Sequence, residues 1–353
     1  MEREDRKHFG KRIPFCFGFP ILIVLLFIVL LVAACVGSAH LGVGDALRLL
    51  IEKFPVIGKF VDTKGIAEVY GRILFQVRLP RVILAGLVGA GLSATGAAFQ
   101  GLFCNPLADP HILGVSSGAA LGATIAMLFG SGAWFLGISL TGFAAFFGGL
   151  ATVFVVYQIA CAGGRGKAVH LLLTGTAVSS FLSALISFLM TRHQDELEKI
   201  YMWTLGSFSA ATWEKVHFLA FFLLIGYLVL FSFGRELNLL SAGEDSAVTL
   251  GVSLKATRAI IIVAGTFLVA ACVSVSGVIG FVGLIVPHCM RLLFGPEHKK
   301  LLSCAAVCGA LFMIFCDMLA RTVTAPTEIP VGVVTALIGA PYFIFLLARV
   351  KGT

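Results

Sequence analysis

Residues 86–122 read GLVGAGLSATGAAFQGLFCNPLADPHILGVSSGAALG, a small-residue-rich apolar stretch, a polar Asn-Pro…Asp-Pro turn, and a second apolar stretch. Gly86, Ala90, Ala94 and Ala98 recur every four residues, and Gly91, Gly96 and Gly101 every five. On a helix those spacings place small side chains along a flank where neighbouring backbones can approach closely. Proline removes a backbone donor and restricts the residue before it, so Asn105-Pro106 and Asp109-Pro110 predict the end of the first helix. The stretch therefore reads as a tightly packed helical hairpin.

The rest of the chain says where such a hairpin sits. Of 353 residues, 59% are hydrophobic and 12% charged, with mean hydropathy +1.01. A soluble domain carries about 25% charged residues, so the composition is that of an integral membrane protein. Apolar blocks of about 20 residues suit helices crossing ~30 Å of hydrocarbon, and the ten-residue alternation of a membrane barrel is absent. Ten spans are predicted: Pro20–Gly37, Pro80–Phe103, His111–Phe129, Trp134–Cys161, His170–Thr191, His217–Phe233, Thr257–Ser276, Gly283–Phe294, Leu301–Arg321 and Pro330–Ala348. The eighth is too short to cross alone and is expected to pack inside protein. The organisation is a single transmembrane domain over 20–349, with tails at 1–19 and 350–353. The segment Val32-Ala33-Ala34-Cys35 resembles a lipoprotein cleavage box, but an Ala-rich span produces such a match by accident.

The net charge of +8 lies in short loops and tails, where flanking charge for topology explains it better than nucleic-acid binding. With the N-terminus inside, 15 of 26 Lys/Arg fall on the inner side, a weak excess in the expected direction. Arg78, Arg81 and Arg321 fall outside and remain to be explained. Residues 192–213 read as an outer interfacial helix. Residues 235–256 are too polar to span and divide into two short helices around Gly243 that end at Gly251. Leu237, Leu239, Leu240, Leu250 and Val252, if exposed there, would form a docking surface.

Little supports an enzyme. An HExxH motif is absent, and Gly166-Lys167 lacks the Ser/Thr and first glycine of a phosphate-binding loop. Cys304 and Cys308 share a helix face without a nearby histidine or carboxylate, which suits buried free thiols rather than a metal site. Ion-coupled carriers hold ionisable groups deep inside spans. Here Gln100, Gln158 and Asp317 stand out. Asp317 has Arg321 at i+4 for a local ion pair, and Gln100 suits a backbone group freed at the following break. A weak internal echo places a second break at Val275-Ser276-Gly277 and Val286-Pro287-His288, as in transporters built from repeats. A pore-forming subunit driven from elsewhere fits these features.

The stretch QVRLPRVILAGLVGAGLSATGAAFQGLFCNPLADPHILGVSSGA resembles the signature of the FecCD-type permeases, membrane subunits of ABC importers for iron-siderophores, haem and cobalamin. LNLLSAGEDSAVTLGV, GVIGFVGLIVPHCMRLLFG and EIPVGVVTALIGAPYFIFLL extend the resemblance from about residue 70 onward. It implies an all-α polytopic fold of about ten transmembrane helices, some short or broken, in the type II ABC importer permease architecture. It implies a homodimer in the plasma membrane with both termini cytoplasmic. Two cytoplasmic ATPase subunits would carry ATP and Mg, and this chain no cofactor or metal. An extracytoplasmic substrate-binding protein would dock on Arg78, Arg81 and Arg321. Leu240, Gly243, Glu244, Leu250 and Gly251 would couple to the ATPase, and Ala168 and Val169 would form an apolar inner gate. Asn105, Pro106, Asp109 and Pro110 form the helix-break motif, and the lipid bilayer, not nucleic acid, surrounds the chain.

Overall fold

A computed structural model describes residues 13–37, 42–53, 66–130, 134–135, 138–162 and 168–350. The described residues form fourteen α-helices, and seven of these are long and apolar enough to cross a membrane. These are α1 (Phe15–Cys35), α3 (Glu68–Leu102), α5 (Leu140–Ala162), α6 (Ala168–Arg192), α8 (Trp213–Ser232), α11 (Leu254–Ser276) and α13 (His298–Thr322). Shorter apolar helices are α4 (Val115–Phe129), α12 (Val282–Phe294) and the first part of α14 (Val331–Val350). Between them lie α2 (Val43–Glu52), α7 (Leu197–Thr204), α9 (Gly234–Ser241) and α10 (Glu244–Thr249). A two-residue antiparallel pairing, Trp134–Phe135 with Ile138–Ser139, precedes α5. The chain is a nearly all-helical, multi-pass membrane protein, with ten apolar helices among the described residues.

The axis of the bundle is α3. Nearly every residue from Leu79 to Leu102 is buried, enclosed by α8, α11, α12 and α13. Small residues make this possible. A Cβ on Gly89 would stand 2.1 Å from the Gly309 carbonyl oxygen of α13, and one on Gly96 would stand 1.8 Å from that of Gly283 on α12. Without a hydrophobic drive between helices in lipid, such close backbone approach supplies the packing energy.

Helix α3 begins at Glu68, twelve residues before the predicted span at Pro80. Its winding loosens to a π-helix over Ile73–Arg78, where the Leu79 N–H reaches back to the Leu74 carbonyl. The wider turn accommodates Pro80, whose ring lacks a donor and crowds the carbonyl four residues earlier. At the other end the helix stops at Leu102, ahead of the prolines, because Cys104 adopts a left-handed conformation with φ 47°. Asn105 Oδ1 then accepts from the Leu107 N–H at 2.9 Å and Asp109 Oδ1 from the His111 N–H at 2.8 Å. These side chains, with the prolines, shape the turn that follows the helix end.

The second predicted break forms at Gly277, whereas Val286-Pro287-His288 lies inside a continuous α12. Helix α11 ends at Gly277 (φ 73°), and α12 starts after Phe281 (φ 70°). The two breaks pack on each other. His111 Nε2 lies 2.8 Å from the Ile279 carbonyl oxygen, and a Cβ on Gly283 would meet Pro110 at 2.7 Å. The Ser116 hydroxyl hydrogen-bonds His111 Nδ1. Gln100 Nε2 donates to the Leu284 carbonyl in the first turn of α12 at 3.0 Å, a backbone group of another helix rather than one freed at the break after α3. At 15 and 13 residues, α4 and α12 span only about 20 Å each. Both begin inside the bundle, where irregular backbone is shielded by protein.

Candidate functional site

At one end of α3 a charged cluster is sealed inside the protein. Arg78, Arg81 and Arg321 are all buried. Arg81 Nε and Nη2 both lie 2.9 Å from Asp317 Oδ1, and its Nη1 lies 2.9 Å from Glu328 Oε1. The predicted Asp317–Arg321 pair is present, with Nε to Oδ2 at 3.4 Å. Arg321 also donates to the carbonyls of Ala33 at 2.6 Å and Val36 at 2.9 Å. Arg78 donates to those of Ala34 at 3.2 Å and Cys35 at 2.6 Å. The last carbonyls of α1 have no intrahelical partner and carry the negative end of the helix dipole, so two guanidiniums satisfy both needs. The lipoprotein-like Val32–Cys35 stretch is thus an anchored part of the bundle.

The three arginines expected to dock a binding protein are held inside the protein rather than free at its rim. Each is turned inward, because Asp317, Glu328 and the α1 carbonyls offer nearer acceptors than solvent does. The member that reaches the surface is the carboxylate of Glu328, 40% exposed. Sequence spacing revealed the i, i+4 pair but not the partners of Arg81, which are 236 and 247 residues away.

At the opposite end, α9 and α10 meet at Gly243, whose φ of 125° disfavours any L side chain. Gly251 closes the segment with φ 86°. Two short helices around Gly243 therefore form as expected. Their apolar residues divide differently from the expectation of a shared docking face. Leu237 and Leu240 are buried under the segment, whereas Val248 and Leu250 are exposed. An amphipathic α9 directs its leucines onto α3 and α13, so Leu240 supports the segment from below and Leu250 belongs to its surface. Glu244 pairs with Arg258 at the start of α11. Asn238 Oδ1 accepts from the His298 N–H at 2.9 Å and lies 2.8 Å from its Nδ1, tying α9 to the first turn of α13. Cys104 lies beside these helices, with Sγ 3.3 Å from the Leu240 carbonyl. Burial and the nearby Glu244 carboxylate push its thiol pKa up.

Of the gate residues, Ala168 begins α6 and Val169 is exposed on its first turn; the preceding Lys167 and the tails 1–12 and 351–353 lie outside the described residues. Within 192–213 the structure forms α7, in which Ile200 is buried while Leu197 and Tyr201 are exposed.

One feature escaped the sequence reading. Thr176, Ser180, Ser183, Ser187 and Thr191 form a single exposed stripe along α6. Four of these hydroxyls bond back to carbonyls three or four residues earlier, at 2.9–3.0 Å. The signal was available as spacings of four, three, four and four, but hydroxyls pass unnoticed in a search for ionisable groups. The stripe interrupts an exposed surface that also carries Leu173, Phe181 and Phe188.

A family model described as the FecCD transport family matches residues 24–349. The cobalamin import system permease BtuC of Halobacterium salinarum is 43% identical over 80% of this chain and 75% of its own length. The hemin transport system permease HmuU of Yersinia pestis is 37% identical over 94% of this chain and 96% of its own. Among solved structures, a metal-chelate type ABC transporter in an inward-facing conformation matches with a TM-score of 0.80. It is 36% identical, covering 94% of this chain and 98% of that one.

Proposed function

The chain belongs to the FecCD transport family, and on that premise we propose that it is the permease subunit of a binding-protein-dependent ABC importer. It moves an iron-siderophore or related metal chelate inward across the plasma membrane, using ATP hydrolysed with Mg by two separate cytoplasmic subunits. The observation that carries this reading is the hydroxyl stripe of α6. On an otherwise apolar helix it forms half of a wetted wall. A second copy related by a two-fold axis completes the wall, and the exposed apolar face of α14, with Leu337 and Ile344, offers surface to close the dimer.

The two ends take complementary roles. On the cytoplasmic side, where both termini lie, α9 and α10 seat in the ATPase through Glu244, Leu250 and the glycine-framed turn. On the outer side the substrate-binding protein docks over the arginine cluster, and a carboxylate of that protein exchanges with half-exposed Glu328 on Arg81. Such pairing sets register and association rate more than affinity. A self-sufficient ion-coupled carrier fits less well. Among the described residues, the buried charges of Arg78, Arg81, Arg321 and Asp317 cluster at one helix end, where Glu328 and the α1 carbonyls supply the remaining partners. The likeness to a cobalamin permease favours a second cargo, a corrinoid.

The test is ATPase stimulation and uptake in proteoliposomes holding the permease, its ATPase and its binding protein, challenged with ferric siderophores, haem and cobalamin. Stimulation by one chelate supports the reading and names the cargo. Uptake by the permease alone, without the ATPase, overturns it.

A further inference from the structure

A cavity of about 260 Å³ opens on the flank of the bundle between α5 and α11. Leu150, Phe154 and Tyr157 line it from α5, and Ala259, Val263 and Thr266 from α11. Apart from the Tyr157 and Thr266 hydroxyls, this lining is hydrocarbon. Phe154 and Val263 are 63% and 55% exposed, so the groove lies open on the outside of the bundle. Eight residue steps separate Ala259 from Phe267, about 12 Å along the helix, close to the ~15 Å depth of one hydrocarbon leaflet.

What marks an occupant is the charge at its mouth. Lys255 stands on the same stripe of α11 as Ala259, Ile262 and Thr266, at i, i+4, i+7 and i+11, and about 6 Å beyond the groove. It is exposed at the first turn of the helix. The helix N-terminus there receives no side-chain cap from Ser253, so its N–H groups and dipole favour an anion. Neighbouring Arg258 is engaged by Glu244, and among the described residues Lys255 is the exposed cation of this first turn. An apolar slot one leaflet deep, ending in an exposed cation at a helix N-terminus, matches one chemistry.

We propose that the α5–α11 groove binds an anionic phospholipid, with an acyl chain between Phe154 and Val263 and its phosphate at Lys255 and the first turn of α11. The site lies in the leaflet on the side of α9 and α10 and does not depend on the cargo. It places a lipid against the base of α11, directly after the coupling segment.

The test uses the full-length protein in detergent, loaded with phosphatidylglycerol or phosphatidylethanolamine and examined by native mass spectrometry. Wild type should retain phosphatidylglycerol in preference to phosphatidylethanolamine. One surface lysine is worth about a fivefold change in anionic-lipid retention, so Lys255→Gln should lower that preference by about this factor. Val263→Trp, at a half-exposed position, should reduce retention of both lipids by filling the slot. Equal retention of the two lipids by wild type, or unchanged retention in both variants, would overturn the assignment. So would a change of oligomeric state in Val263→Trp, which would identify the groove as a surface between two copies.

Discussion

Replacing Asp317 by Asn should be the most destabilising isosteric change in the arginine cluster. The side chain is 1% exposed and faces Arg81 at 2.9 Å and Arg321 at 3.4 Å. The amide keeps the shape and removes the charge, leaving two buried guanidiniums with Glu328 as their remaining anion. Breaking a buried pair from one side costs about 3–5 kcal/mol, because the surviving charge stays desolvated. Glu328 makes equally short bonds to the same arginine but is 40% exposed; solvent screens it, and Glu328→Gln should cost at most about 1 kcal/mol. The difference, about 3 kcal/mol, is more than a hundredfold in the folding equilibrium. Reversible unfolding in mixed micelles with increasing dodecyl sulfate, followed by tryptophan fluorescence, measures both variants against wild type. If the two variants fall within about 1 kcal/mol of each other, burial does not govern this cluster and the reasoning fails.

Three further outcomes follow from the packing. Gly96→Val should destabilise the protein by at least ~1–3 kcal/mol, since even a Cβ there would stand 1.8 Å from the Gly283 carbonyl oxygen; a wild-type-like thermal melt would contradict this. Maleimide labelling of Cys104 should be slow at neutral pH, because a raised pKa leaves less thiolate at any given pH. Its rate should turn upward above the ordinary thiol value of about 8.5, and a midpoint at or below that value would refute the burial argument. Ser183→Leu on the exposed stripe of α6 should depress uptake while leaving the melting temperature and ATPase co-purification unchanged; unimpaired uptake would remove α6 from the pathway wall.

The parts of this architecture legible in the sequence are those governed by local chemistry. Small residues at helical spacing marked α3, glycines marked the turn between α9 and α10, and prolines and Asx side chains marked the break after α3. Gln100 does bond a backbone group, but one on α12 that the break after α3 does not free. Long-range effects stayed hidden. The early start of α3 depends on π winding that the π-helical pattern Ile73–Arg78 does not advertise. The partners of Arg81 come from α13 and the loop beyond it, and only packing brings them together. Leu240 appeared to be a surface residue because its segment is polar; the α3 and α13 surfaces beneath it decide otherwise.

The contact between the two helix breaks limits how this molecule can move. His111 satisfies the Ile279 carbonyl, and Pro110 fills the space left by Gly283. Pulling the breaks apart would strand backbone polar groups in a medium that offers no replacement, at several kcal/mol each. Turning about the contact strands none. Helices α4 and α12 are then arms of roughly 20 Å sharing one fulcrum, and a turn of 10° carries the far tip of either by about 4 Å. A modest force on the short helices α9 and α10 can therefore become a wide displacement at the distal ends of the arms, while the centre of the bundle stays closed to lipid.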